Sequence, residues 1–205
     1  EQQLSKAEKD VTKELEAYRK ALLKYRYEQL YVNERLDTAV SEDKVQQYYD
    51  EHSDEFVLER PVVKARFLSI SSKSPMKDKI KKKMSSSESS DVLEADSLAY
   101  MAALKFMTWD GKWVDINALS SEFGFDQATL LSKRKGRWIE HTDTTGILNV
   151  AYIEAFKDKG EMSPVEYSTP AIEDMIVSIR KQELINSLEQ NLLEDARQNG
   201  KFKTY

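Results

Sequence analysis

Between Leu4 and Leu36 the apolar residues Leu4, Ala7, Val11, Leu15, Tyr18, Leu22, Tyr25 and Val32 recur at spacings of three, four or seven, with no glycine or proline among them. That period puts them on one side of a helix and predicts a single long amphipathic helix. Leu23, Leu30 and Tyr31 lie off the stripe and widen the apolar surface. A second helix is predicted over "VSEDKVQQYYDEH", where Glu42 and Asp43 suit the positive end of the helix dipole. "ERP" ends it, because a residue that precedes proline is driven out of the helical region. The run "VVKARFLSI" then predicts a strand.

The pattern changes at residues 71–90, "SSKSPMKDKIKKKMSSSESS", which predict a partly helical, exposed excursion. Its basic run from Lys77 to Lys83 reads as a solvated face, or as a contact for an acidic partner or lipid phosphate. Helical spacing returns in "DVLEADSLAYMAALKFM" with Leu93, Leu98, Met101, Ala102 and Phe106. "TWDGKW" predicts a turn, "VDINALSSEFG" a short helix ended by Gly124, and "FDQATLLSKRKG" a further helical turn with Asp126 near its start. In "RWIEHTDTTGILNVAYIEAFK" two runs of strand formers flank "DTTG", which predicts a hairpin. Strict alternation would set Val150, Tyr152, Glu154 and Phe156 on one side of its second strand, and Ala151, Ile153 and Ala155 on the other. After a loop, "DKGEMSPVEYSTP", a last helix carries Ile172, Met175, Ile176, Ile179, Leu188, Leu192 and Ala196 as a stripe and ends at Gly200. "KFKTY" reads as a short terminal strand or extended tail.

Long helices thus stand at both chain ends, around a small mixed segment. Neither end helix is stable alone in water without cover for its stripe. The economical arrangement is α+β: the N- and C-terminal helices pack together and the middle is an insertion. The expected parts are residues 1–59, 60–160 and 161–205.

Composition narrows the chemistry. A chain of 205 residues suits one domain or two small ones. Charged residues make up 33%, but 40% hydrophobic residues with 10 Tyr and 7 Phe argue against disorder. The net charge of −5 offers no general reason to bind nucleic acid or an anionic membrane. The absence of cysteine excludes disulfides, thiolate catalysis and Cys-ligated metals. No apolar run approaches the ~18 residues that span a bilayer. The first residues, "EQQLSKAEKD", lack Met, which suits a leader or membrane anchor removed from the N-terminus.

Candidate catalytic groups are sparse. His52 stands among Asp50, Glu51 and Asp54, but consecutive acids at a helix end point in different directions, so no metal site is expected. His141 has no partnered nucleophile. The six glycines are scattered and form no phosphate loop. Trp109, Trp113 and Trp138 form either an aromatic binding face or packing in core and turn. No catalytic residue, metal or cofactor is assigned.

The helix "VSEDKVQQYYDEHSDEF", the strand "VVKARFLSI" and the ending "IRKQELINSLEQNLLEDARQNGKFKTY" resemble the SurA/PrsA-type family of periplasmic foldases, in particular foldase-like proteins of the Bacteroides group. In that family terminal helices build a chaperone module around a parvulin-type prolyl isomerase domain, so the resemblance implies a helical chaperone-like module with an inserted parvulin-like α+β domain. The first parvulin strand carries a motif resembling A-R-H-I-L; here the frame reads Ala65-Arg66-Phe67-Leu68-Ser69, with Phe67 in place of the histidine. The last strand resembles Y-H-I-I-K-V, and "VAYIEAF" has Ala151 where a second histidine would stand. No counterpart of the family's glycine-aromatic stretch and proline pocket is recognisable between residues 125 and 147. The resemblance therefore implies a degenerate isomerase domain in a cell-envelope or periplasmic chaperone, lipid-anchored if the removed segment carried an anchor. Its partners would be unfolded or partly folded secreted or outer-membrane polypeptides. Leu23, Leu30, Tyr31, Tyr152 and Phe156 are the candidate client contacts, the last two as the lining of a residual pocket, with core packing the favoured alternative for that pair. The alternatives are a divergent active prolyl isomerase and a structural subunit of an envelope complex.

Overall fold

The structure is a computed structural model and describes residues 2–200, with side chains from Val11 onward. The side chains of Leu4 and Ala7 and the expected terminal strand or tail, "KFKTY", lie outside the described residues. In chain order the elements are α1 (Gln2–Arg35), α2 (Glu42–Glu51), β1 (Val62–Ser71), α3 (Lys77–Met84), α4 (Ser89–Ala102), β2 (Lys105–Met107), β3 (Val114–Asp115), α5 (Ile116–Phe123), α6 (Gln127–Ser132), β4 (Arg134–Lys135), β5 (Trp138–Thr142), β6 (Ile147–Lys157) and α7 (Val165–Gln198). Helices with one antiparallel sheet make the fold class α+β. The last helix begins earlier than expected: "VEYSTP" supplies its first turns, and Pro170 lies inside it.

The chain divides into two compact units, residues 46–170 and residues 1–45 with 171–205. The middle unit reaches beyond the strands because its flanking segments pair with each other. Val57 bridges Met162, Leu58 N–H donates to Glu161 O at 2.9 Å and Ser163 N–H donates to Phe56 O at 2.8 Å. The Tyr49 hydroxyl donates to Ser163 O from the end of α2.

The sheet of this unit runs β2-β1-β6-β5-β4, with β3 pairing the first residues of β1. β1 is buried along nearly its whole length because both sheet faces are covered. On one face Val63, Ala65 and Phe67 pack with Ile116, Leu119 and Phe123 of α5, Leu130 of α6, Ile139, Ala151 and Ile153. On the other, Leu68 and Ile70 pack with Ile80 and Met84 of α3, Ala95 and Ala99 of α4, Leu148, Val150 and Tyr152.

Residues 71–90 are therefore no exposed excursion. Ile80 and Met84 are fully buried four residues apart, so α3 lays one side on the sheet. Three of its five lysines are held within the unit by ion pairs: Lys79 meets Glu94 at 3.1 Å, Lys81 meets Glu140 at 2.7 Å, and Lys83 meets both Asp91 and Glu94. Hydrogen bonding from Lys83 pulls the Asp91 and Glu94 carboxyls below their ordinary range. Arg66 ends α3, donating to Met84 O and Ser86 O at 2.7 Å each. A guanidinium there satisfies carbonyls that have no helical partner.

Of the residues expected at helical spacing in and after α4, Leu98, Ala102 and Phe106 pack on the sheet, whereas Leu93 and Met101 do not. The small residues Ala95 and Ala99 of α4 face the sheet, which lets the helix approach closely, while Leu93, Tyr100 and Met101 and the following Leu104 are exposed. The hairpin at "DTTG" is held by Asp143, whose carboxylate accepts from the Thr145 hydroxyl and from the N–H groups of Thr145 and Ile147. The Thr145 hydroxyl is the largest of the influences that lower its pKa.

Two measurements check this packing. Ile80→Ala should destabilise the protein by about 2–5 kcal/mol in denaturant titrations, as expected for a core aliphatic, whereas Lys82→Ala on the same helix should change stability by less than about 0.5 kcal/mol. The lowered pKa of Asp143 gives stability that is present above the ordinary aspartate range and lost as pH falls through the folded value. Asp143→Asn should therefore flatten the acid limb of a thermal-stability profile; a mutant profile parallel to the wild type would remove Asp143 as a contributor.

Candidate functional site

The two positions that the sequence frame assigns to isomerase histidines stand directly opposite each other: Phe67 of β1 is the register partner of Ala151 of β6. Both are buried in the cluster under α5 and α6, and Phe123 meets the Phe67 ring edge-on at 5.3 Å. The pair is sealed apolar core. His141, the nearest histidine in sequence to β6, packs edge-on against Phe125 at 4.8 Å. His52 stacks on Tyr48 at 4.3 Å and lies 3.2 Å from a Glu55 carboxylate oxygen. Among the described residues no three His, Cys, Asp or Glu side chains gather in a group that could hold a metal ion.

Tyr152 and Phe156 do not share a side of β6. Lys64 pairs with Ala155 and Ala65 with Ile153, which leaves Glu154 as an extra residue. Such a bulge shifts the alternation by one residue. Tyr152, 8% exposed, belongs to the core cluster on the α3/α4 face, tilted against Trp138, and its hydroxyl accepts from Arg137 at 3.0 Å. Phe156 packs half-buried on the opposite cluster with the Arg134 guanidinium 4.3 Å over its ring. The bulged Glu154 turns its carboxylate to Arg66 at 2.9 Å. A shared pocket lined by Tyr152 and Phe156 is thus absent. The tryptophans are likewise dispersed: Trp109 packs on one cluster, Trp138 on the other, and Trp113 donates its indole N–H to Glu166 at 3.0 Å.

The helical unit has the opposite character. Only Val32, Val45, Ile172 and Leu188 are buried apolar residues among its described side chains. Exposed on α1 are Val11, Leu15, Tyr18, Leu22, Leu23, Tyr25, Tyr27 and Leu30; exposed on α7 are Met175, Ile179, Leu192 and Leu193. The expected cover of the α1 stripe by the C-terminal helix is not formed, since Leu15 is 62% and Leu22 47% exposed. α7 meets α1 away from that stripe. Lys24 reaches Glu189 at 2.8 Å, and an open groove of about 410 Å³ is lined by Lys24, Tyr27, Glu28, Leu188, Glu189, Leu192 and Leu193. The Glu189 hydrogen bond raises the Lys24 pKa above the ordinary lysine value. Further along, Arg180 donates to Asp37 O at 2.9 Å and Ala39 O at 2.8 Å, fixing the turn after α1.

Leu23 and Leu30 are therefore open to solvent and Tyr31 is half-buried, with Arg35 4.2 Å over its ring. Leu93, Tyr100, Met101 and Leu104 are further exposed apolar side chains, in the middle unit, although helical spacing had grouped Leu93 and Met101 with Leu98, Ala102 and Phe106. The alanines Ala95, Ala99 and Ala102 at spacings of four and three were the available signal for their exposure. No helix among the described residues is long and apolar enough to cross a membrane.

No protein-family model matches the sequence, and no curated protein matches it. One solved structure from Campylobacter jejuni is similar over 95% of this chain and 74% of its own, at 20% identity and a TM-score of 0.35. It comes from work on the virulence factor PEB4 and the periplasmic protein Cj1289, described as two structurally related SurA-like chaperones. The functional reading below rests on the geometry above.

Because the α1 stripe is already in water, Leu22→Ser and Tyr25→Ser should each shift folding stability by no more than about 0.5 kcal/mol. Leu188→Ala, at a buried position of the same unit, should cost about 2–5 kcal/mol. Thermal melts of the three variants decide whether the stripe is a surface or a core.

Proposed function

We propose that this chain is a cell-envelope chaperone of the foldase type, which binds unfolded segments of secreted or outer-membrane proteins through its end helices and has no prolyl isomerase activity. The observation that carries this reading is the apolar surface on α1 and α7, where large side chains at helical spacing stand in water on well-formed helices. Contiguous apolar surface on a folded protein marks a place where something else is bound. Each Å² of apolar area covered contributes roughly 25 cal/mol, so a few side chains of an extended client give weak, reversible binding with little sequence demand. Chaperoning requires that combination.

The isomerase half of the reading rests on Phe67 and Ala151. Twisting an X-Pro bond makes and breaks no covalent bond, but the barrier is about 18–20 kcal/mol and the site must admit the proline ring beside polar groups that favour the twisted amide. At these two positions an aromatic and a methyl group fill the space instead. The cell-envelope location follows the sequence resemblance, and a lipid anchor upstream of Glu1 would suit it.

The test is suppression of aggregation of a chemically unfolded client by the purified chain, read by light scattering. The wild type should suppress it, and Leu15→Ser/Leu22→Ser/Tyr25→Ser should lose most of that effect while keeping its helicity. No suppression at molar excess sinks the proposal. In parallel, cis/trans exchange of a short X-Pro peptide should run at its uncatalysed rate; acceleration would return the reading to an active isomerase. Pull-down from envelope extract should recover many sub-stoichiometric polypeptides, whereas one stoichiometric partner would make the chain a structural subunit.

A further inference from the structure

The charges beside the exposed stripe say which segments it would select, and this inference rests on the chaperone reading above. Residues 17–27, "AYRKALLKYRY", contain four cations and no acid, and Glu14, Glu16 and Glu28 flank them. Lys24 is engaged by Glu189 and Glu28. Arg19, Lys20 and Arg26 are exposed and have no ion-pair partner among the described residues. At 100° per residue, Tyr18, Leu22 and Tyr25 form one exposed line and Leu23 and Leu30 another, and Arg19 and Arg26 fall between them. Lys20 falls beside Tyr27 on the far edge. Arg19 and Arg26 are set inside the apolar arc and Lys20 on its border, where Glu16 also falls, between Leu23 and Tyr27.

That arrangement favours one occupant. Against a bilayer, the arc would drive Arg19 and Arg26 to its deepest point, where charge is costly. A second copy docked through the same arc would set these cations against their own counterparts. An extended polypeptide in which carboxylates alternate with large apolar residues meets every line at once. Around Leu192 and Leu193 the neighbours are Glu189, Glu194 and Asp195, so such a segment is directed to α1 and away from α7. We infer that the clients preferred by this surface are unfolded segments in which Asp or Glu stand beside aromatic or aliphatic residues.

The experiment uses the full chain and fluorescein-labelled peptides that share the same Tyr and Leu residues but carry Asp/Glu, Ser/Gln or Lys/Arg between them. Fluorescence anisotropy should rank the acidic peptide about tenfold tighter than the neutral one, the scale of a few exposed ion pairs, with the basic peptide weakest. High salt should bring the acidic-to-neutral ratio close to one, as should Arg19→Gln/Lys20→Gln/Arg26→Gln. Equal binding of acidic and neutral peptides overturns this inference and leaves the chaperone reading standing. Failure to bind any peptide overturns both. Flotation with phosphatidylglycerol vesicles that the acidic peptide does not compete away would assign the surface to lipid. A dimer in sedimentation that the acidic peptide cannot dissociate would assign it to a second copy. Either result would replace the peptide as the occupant.

Discussion

The antiparallel pairing of β1 with β6 is the constraint on which the middle unit depends. Ten successive residues of β1, Val62 to Ser71, find partners on β6, and the side chains of both strands enter two separate cores. A strand buried on both faces cannot slip by one residue without moving every apolar group into the wrong layer. α3 and α4 on one face and α5 and α6 on the other are held in place by this ladder, and so is the opposition of Phe67 and Ala151. The only register shift, at Glu154, is itself stabilised by the ion pair with Arg66, which also ends α3.

The helical unit is organised on the reverse principle. Its helices are long and uninterrupted by glycine, and polar interactions tie them together: Lys24 with Glu189, and Arg180 with the carbonyls of the turn after α1. Directional bonds of this kind fix positions without consuming apolar surface. The large side chains of α1 are consequently left in water, whereas those of β1 and β6 are buried in the two cores.

The same contrast holds at the place where the sequence resemblance would put a catalytic pair: Phe67 and Ala151 lie in apolar core. A catalytic pair needs polar side chains held in an accessible cavity, and close packing leaves none around Phe67. Tyr152, the remaining polar group on that part of β6, points to the other layer and satisfies its hydroxyl with Arg137.

Much of the architecture was legible in the order of residues. The unbroken stripe from Val11 to Val32, the β-branched run at Val62, the "DTTG" hairpin and the Gly124 stop each correspond to an element, because backbone preference and local periodicity decide them. The resemblance singled out Phe67 and Ala151 as a pair of positions, and the strand register shows that the two stand opposite each other. Periodicity did not reveal which side of each amphipathic element is covered. α4 buries its alanines and exposes Leu93, Tyr100 and Met101, α3 hides Ile80 and Met84 within a lysine-rich run, and α1 keeps Leu15 and Leu22 in water. Burial is a property of what lies opposite, and the bulge at Glu154 that separates Tyr152 from Phe156 exists only in the pairing of two strands distant in sequence. Local preference determined the elements of this protein; packing between distant segments decided which of their faces became core and which remained available to bind.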